Sequence, residues 1–370
     1  MKISYNWLKE YLPTGDKFAP YVNNVNKISE ILTAVGLEVE AMEKYESVKG
    51  GLEGLITAEV ITCEQHPNAD KLKVTTVNTG TGVLQIVCGA PNVKAGQKVV
   101  LALTGTTLYP KDGESFTIKK AKIRGVESNG MICAEDEIGI GKSHDGIIVL
   151  PQSTKVGIPA SEVFPVYNDY LIEIGLTPNR MDNQSHLGVA KDVCAWLRHH
   201  TGHAAEVVTP LGKNFSIDDN SLQFEVAVKD KKLAPRYSGI TISNLTIGPS
   251  PEWMQNRLKT IGLKPINNVV DITNYILHTT GQPLHAFDAD KIKGRKVIVE
   301  TLTPGTSFVT LDGKERKLTG NDIMICDGNE TPMCIAGVFG GMDSGVSEST
   351  QNIFLESAVF NSGNIRKSII

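Results

Sequence analysis

Between Pro265 and Asp288 the chain reads PINNVVDITNYILHTTGQPLHAFD, a run crowded with amide, hydroxyl and imidazole groups. Thr273, Asn274 and His285 stand out in it as candidate site residues, since so dense a set of polar and ring-bearing groups is hard to explain by folding alone. Such groups need a scaffold. Asn268 with Asp271 predicts a helix N-cap, Val269, Ile272 and Ile276 predict one buried stripe, and Gly281 followed by Pro283 predicts the stop. Asn274 lies off that stripe and Thr273 only partly on it, so both can face a cavity. His285 then follows in an extended segment that turns back over the helix end. For any one of these residues, a capped helix satisfying its own backbone is the commoner origin.

A second candidate is Glu356 in IFLESAVF, a carboxylate among apolar neighbours in a strand-like segment. Its alternative is a surface carboxylate on an edge strand. Gly337, Gly340 and Gly341 form no dinucleotide fingerprint, since no GxGxxG opens a helix there; they permit close approach of a ligand or tight packing of a turn. Gly141-Lys142-Ser143 is not a phosphate loop, because Asp136 stands where that motif needs glycine. No GxSxG elbow is present.

The chain has 370 residues, 41% hydrophobic and 21% charged, enough for two or three cores. Its net charge is −4, yet between Cys63 and Gly125 nine Lys and Arg face four acids. A basic module in an acidic chain suits nucleic-acid contact, although a solvated charged face is the commoner cause. The six cysteines are scattered without a CxxC pair, which favours buried thiols over disulfides or zinc. His199, His200 and His203 follow a helix that ends at Gly202, where cations suit the dipole better than a metal site does. No apolar run reaches the length of a membrane span and the N-terminus lacks a signal core, so the chain is expected in the cytoplasm with no membrane partner.

The fold class expected is a multidomain α+β protein, with an OB-like β-barrel followed by a mixed α/β domain. Strand-like runs at Leu55 to Cys63, Leu72 to Thr79, Val83 to Val87 and Lys98 to Leu103, separated by turns, predict the barrel. Ser250 and Pro251 predict the cap and first turn of a helix ending at Gly262. The expected boundaries are 1–40 for an N-terminal module, 41–151 for the barrel, and 211–370 for the last domain.

MKISYNWLKEYL, HPNADKLKV, IRGVESNGMICAEDEIGI, LTPNRMDN and AGVFGGMDSGV occur in this order with the Pro265 stretch. Together they resemble the beta subunit of bacterial phenylalanine–tRNA ligase along nearly the whole chain. Asn183 departs from the cysteine or other small residue expected there. The resemblance implies that the 1–40 module is continued by 152–205, and it implies a tRNA-binding barrel, with Lys71, Lys119, Lys120, Lys122 and Arg124 as tRNA contacts, and an editing domain in 211–370. It implies an editing pocket of Thr273, Asn274, His285, Ala336, Gly337, Gly340 and Glu356. In it, His285 and Asn274 would hold water and the terminal ribose, Thr273 would shape the wall, and Ala336, Gly337 and Gly340 would admit the aminoacyl group.

The task of such a pocket has a physical cause. A pocket built for a phenyl ring rejects the same ring bearing a hydroxyl by only about a hundredfold, whereas one that demands a hydrogen bond from that hydroxyl rejects phenylalanine by about 10⁴ or more. Glu356 would be the acceptor. No class II ATP-binding motif is present, so no cofactor is expected in this segment. ATP and Mg²⁺ would serve the complete enzyme, whose synthetic site lies on an alpha subunit in an α2β2 heterotetramer acting on tRNA(Phe). The chain is expected to be the N-terminal portion of a longer subunit. The rival reading is a non-catalytic tRNA-binding or assembly module with an inactive pocket.

Overall fold

The structure of the protein is a computed structural model that describes residues 1–111, 113–209, 212 and 215–369. Leu211 and Ile370, the expected limits of the last domain, lie outside the described residues. The chain forms two compact units, Lys44–Asp169 and the combination of Met1–Glu43 with Tyr170–Ile370. No described helix is long and apolar enough to cross a membrane.

In the Lys44–Asp169 unit, the long strand Leu55–Gln65 pairs antiparallel with Lys73–Asn78 on one side and Lys98–Leu103 on the other. Val83–Cys88 and Gly130–Ile132 extend the sheet at its two ends, and Val149–Leu150 also pairs with Lys98–Leu103. The sheet then curls until its ends meet. Asn129 donates its N–H to the Gln85 carbonyl at 2.9 Å, the Gln85 amide donates to Glu127 O at 2.8 Å, and Val87 N–H donates to Ser128 Oγ at 3.1 Å. Closure of this kind satisfies edges that would otherwise be exposed. Ala58, Val60, Val77, Ile86, Val99 and Leu101 fill its interior, as the two-residue alternation of the strands dictates. Residues 152–169, joined to the N-terminal module in the sequence reading, pack with this unit. The Thr57 N–H and hydroxyl bond the Ile158 and Lys155 carbonyls, and Ala160 is fully buried.

In the other unit a short strand, Lys2–Ser4, leads into a helix, Tyr5–Lys9, capped by Ser4 Oγ, which accepts from Trp7 N–H at 3.1 Å. Trp7 is sandwiched between His186, at 4.2 Å between ring centres, and Tyr275, at 4.7 Å. His186 accepts from Ser4 N–H at Nε2, so the proton sits on Nδ1 and is donated to the His278 carbonyl at 2.7 Å. Burial pushes the pKa of His186 down to about 3, which keeps the ring neutral. One ring thus ties the opening helix, His186–Thr201 and Asn268–Thr280 into a single packet.

Asn268–Thr280 differs from the sequence expectation in three ways. Its cap is Asn267, whose Oδ1 accepts from Val270 N–H at 3.0 Å, one residue before the expected position. Asp271 instead turns inward and is bonded by Ile266 N–H at 2.8 Å and by the Ser250 hydroxyl. Ser250 therefore does not cap Glu252–Thr260, whose N-cap is Pro251. The expected apolar stripe is also broken: Val269 is buried, but Ile272 is 44% exposed. The helix buries the face carrying Asp271, Tyr275 and Thr279, because Trp7, Tyr11 and Ser250 supply aromatic and hydrogen-bonding partners there. Gly281 ends the helix in the left-handed region at φ +81, as expected.

Two of this unit's sheets share a core. One runs Glu225–Val228, Lys296–Thr301, Ile323–Cys326, Pro332–Ile335, Phe339–Gly340; the other places Ile353–Val359 between Arg236–Ile242 and His285–Asp288. Phe287, Phe354, Val297, Val299 and Ile325 form their shared core. Burial of each such phenylalanine contributes about 1.5–3 kcal/mol.

Candidate functional site

Period-two alternation along Ile353–Val359 puts Phe354, Glu356 and Ala358 on one face. In the neighbouring strands His285 is the register partner of Glu356, and Phe287 that of Phe354. The face therefore passes from an aromatic core at Phe287 and Phe354 to a polar pair at His285 and Glu356. Glu356 is 6% exposed and its strand is the central one of three, so the surface-edge alternative does not hold.

Glu356 is held by one protein donor among the described residues: the Tyr237 hydroxyl, 2.6 Å from Oε2. Burial pushes the carboxyl pKa up to about 7 and the hydrogen bond from Tyr237 opposes that rise. Tyr237 is itself driven well above the usual phenol range, first by burial and then by the Glu356 charge. Cys334 is buried beside this carboxylate, and burial with the Glu356 charge raises its thiol likewise.

His285 is pressed down to a pKa of about 4 by burial, so its imidazole is neutral near pH 7. Its Nε2 is buried with no hydrogen-bond partner among the described residues. A buried, unpaired ring nitrogen costs about 1–3 kcal/mol unless something else satisfies it. The ring lies edge-on to Phe287 at 4.5 Å and against the backbone of Gly340. A Cβ on Gly340 would stand 2.9 Å from both His285 Cε1 and Leu311 Cδ1, so a side chain here would push the His285 ring or Leu311 aside.

The remaining expected residues are placed less directly. Thr273 Oγ1 donates to the Val270 carbonyl at 2.8 Å, which is a local backbone contact. Asn274 is half-buried on the same helix, and among the described residues no hydrogen bond links it or Thr273 to His285 or Glu356. Ala336 is fully buried, its N–H donating to Ile323 O at 2.8 Å. Gly337, at φ +67, faces Ile365 Cδ1 and Phe360 rather than His285. Tyr237 and Leu311 are site residues that sequence reasoning missed. Tyr237 lies 119 positions from its partner, and no local pattern announces that contact.

In the barrel unit, His66 is buried and acts as a clamp. Its Nδ1 accepts from Asn68 N–H at 3.0 Å, so Nε2 carries the proton and donates to the Ile123 carbonyl at 3.1 Å. Asn68 Nδ2 adds a bond to Arg124 O at 3.1 Å. The turn bearing Lys71 is thereby fastened to the hairpin of Ala121–Ile123 and Val126–Ser128, which carries Lys122 and Arg124 and follows Lys119 and Lys120. All five basic side chains are exposed, and Lys120 pairs with Glu127 at 3.1 Å. The hairpin also borders a cleft of about 590 Å³ lined by Cys88, Lys119, Ile123 and His144. Among the described residues no group of three His, Cys, Asp or Glu is placed to hold a metal, and His200 stacks on Trp196 at 3.9 Å.

Two family profiles match the chain, each within one unit: a putative tRNA binding domain over residues 55–159 and a B3/4 domain over residues 233–369. The phenylalanine–tRNA ligase beta subunit of Bacteroides fragilis is 55% identical over 369 residues, covering 100% of this chain and 44% of that protein. That of Porphyromonas gingivalis is 56% identical, with the same shares covered. A solved N-terminal fragment of the Pyrococcus horikoshii phenylalanyl-tRNA synthetase beta subunit matches 53% of this chain and 57% of that one at 15% identity, with a TM-score of 0.31. The chain spans less than half the length of the curated relatives it matches. With such identity along its full length, and with both profiles inside the matched stretch, the chain is similar throughout to phenylalanine–tRNA ligase beta subunits.

Proposed function

We propose that this chain is the tRNA-binding and editing portion of a phenylalanine–tRNA ligase beta subunit, and that it hydrolyses tyrosine from mischarged tRNA(Phe). The observation that carries the reading is the buried Glu356 carboxylate, one oxygen held by Tyr237 and the other without a donor among the described residues, opposite a neutral His285 with an unpartnered nitrogen. A tyrosyl ring offers its hydroxyl to Glu356. A phenylalanyl ring leaves the second oxygen of that buried carboxylate without a donor, which supplies the discrimination.

A pKa of about 4 makes His285 a weak base near pH 7, so its role is to position water or the ribose near the ester, with the terminal ribose hydroxyl available to assist. Asn274 and Thr273 would line the approach from the helix, and Ala336, Gly337 and Gly340 would keep side chains out of it. The curled sheet is read as an OB-like barrel whose Lys71, Lys119, Lys120, Lys122 and Arg124 touch tRNA phosphates. We assign the synthetic reaction, with its ATP and Mg²⁺, to an alpha subunit partnered in an α2β2 cytoplasmic enzyme. The test is deacylation of tyrosyl-tRNA(Phe) and phenylalanyl-tRNA(Phe) by the complete two-subunit enzyme. Equal rates on the two esters would overturn the reading.

A further inference from the structure

Arg236–Ile242 and Ile353–Val359 pair so that Gly239 is opposite Glu356 and Tyr237 is opposite Ala358. Tyr237 is thus the diagonal neighbour of Glu356 on the same face, within reach of a long side chain. Gly239, directly opposite, contributes no side chain, and a Cβ there would stand within 3.0 Å of the Phe354 ring. The carboxylate is consequently approached on this side by one group, the Tyr237 phenol.

We propose that Tyr237 is the positioning residue for Glu356: it occupies Oε2, fixes the plane of the carboxylate, and leaves Oε1 as the single acceptor presented to a ligand. This rests on the editing reading and gives its selectivity a geometric basis. A carboxylate has about four lone-pair sites on two oxygens. Left free, it could rotate or take a water and so relieve the penalty when a phenylalanyl ring enters. With one oxygen held, the unfilled oxygen stays aimed at the place where a substrate hydroxyl would stand.

The titratable groups that face Glu356 are Tyr237 from one neighbouring strand, His285 from the other, and Cys334 from Pro332–Ile335. Burial holds all three neutral near pH 7, so the Tyr237 hydrogen bond is the contact that favours the ionised carboxylate. Its removal moves the Glu356 titration upward. The tyrosine preference, strongest when the carboxylate is ionised, then disappears at a higher pH.

Tyr237→Phe tests this, since it keeps the ring beside Phe360 and removes only the hydroxyl. In the complete enzyme, the ratio of kcat/KM for tyrosyl over phenylalanyl ester should fall roughly tenfold, the scale of one hydrogen bond to a charged group, and its fall with decreasing pH should begin at higher pH. In the 370-residue chain, carbon-13 NMR of glutamate side chains should show Glu356 titrating higher than in the parent. Site-specific 3-fluorotyrosine at position 237, a stronger donor of nearly the same shape, should move that titration downward, which covers the case of a Tyr237→Phe chain that does not fold. A Glu356 titration unmoved by either change overturns the role of Tyr237. A parent enzyme that deacylates the two esters alike overturns the editing reading, and the selectivity role with it, even if the titration shifts.

Discussion

The basic face of the barrel unit and the Glu356–His285 pair are built on opposite physical terms. Lys71, Lys119, Lys120, Lys122 and Arg124 are exposed charges in water, and the buried polar device behind them is His66, which holds two loops at a fixed spacing. Glu356 and His285 are ionisable groups taken out of water, their pKa values pushed toward the neutral forms. Exposed charges act over a screened distance and tolerate substitution; buried ones act through single contacts and do not. Under the proposed function, holding a long polyanion and inspecting one hydroxyl group would call for both kinds of region.

The sharpest break in this contrast comes from Glu356→Ala. Removal of the acceptor should reduce the tyrosine-over-phenylalanine ratio in deacylation by about 10² or more, the scale set by an unpaired buried polar group, with aminoacylation unchanged. A ratio within twofold of the parent in a folded variant removes Glu356 from the pocket. His285→Ala should slow hydrolysis of the tyrosyl ester by roughly 10–100-fold, because water and ribose are no longer positioned. Because His285 is already neutral above a pKa of about 4, the parent-to-variant rate ratio should stay constant between about pH 8 and 5.5. A ratio that collapses near pH 6.5 would instead mark a general base.

A smaller effect concerns stability. The folded-state pKa of Glu356 is raised above its unfolded value, so its contribution is fully present below about pH 4.5 and is lost as pH rises through about 7. Glu356→Gln removes that titration. Its Tm relative to the parent should therefore be higher at pH 8.5 than at pH 5, by a few degrees on the scale of about 2–4 °C per kcal/mol. Equal differences at the two pH values in scanning calorimetry would show a well-solvated carboxylate.

The smallest effects belong to the barrel. Reversing Lys119, Lys122 or Arg124 singly should weaken tRNA binding only a few-fold while reducing the salt slope by about one for each phosphate that is no longer neutralised. Filter binding across a salt series reads both quantities. If affinity and slope are unchanged even when all are reversed together, the face is a solvated surface or a docking site for protein.

Much of the architecture could be read from spacing. The four longer barrel strands, the left-handed glycine ends at Gly36, Gly202, Gly262 and Gly281, and the apolar setting of Glu356 all follow from local pattern. The helix Asn268–Thr280 shows where that reasoning fails. Hydrophobic periodicity predicts Ile272 inside, but the stacking of Tyr275 on Trp7 and the bonds to Asp271 turn the helix the other way. Tyr275 and Trp7 stand far apart along the chain, so a window wide enough to show helical periodicity around one of them holds no trace of the other.

The sequence by itself determined which residue types were available: a lone glutamate at a core-facing strand position, a histidine beginning the strand after Gly281, a cluster of lysines between turns. Tertiary structure decided what those residues are chemically. Strand register brought His285 opposite Glu356 and set Tyr237 diagonally across from it, and burial moved the two pKa values past each other, His285 down to about 4 and Glu356 up to about 7. Desolvation and cross-strand pairing are properties of the packed chain, since each depends on atoms supplied by segments far apart in sequence, and neither exists until those segments meet.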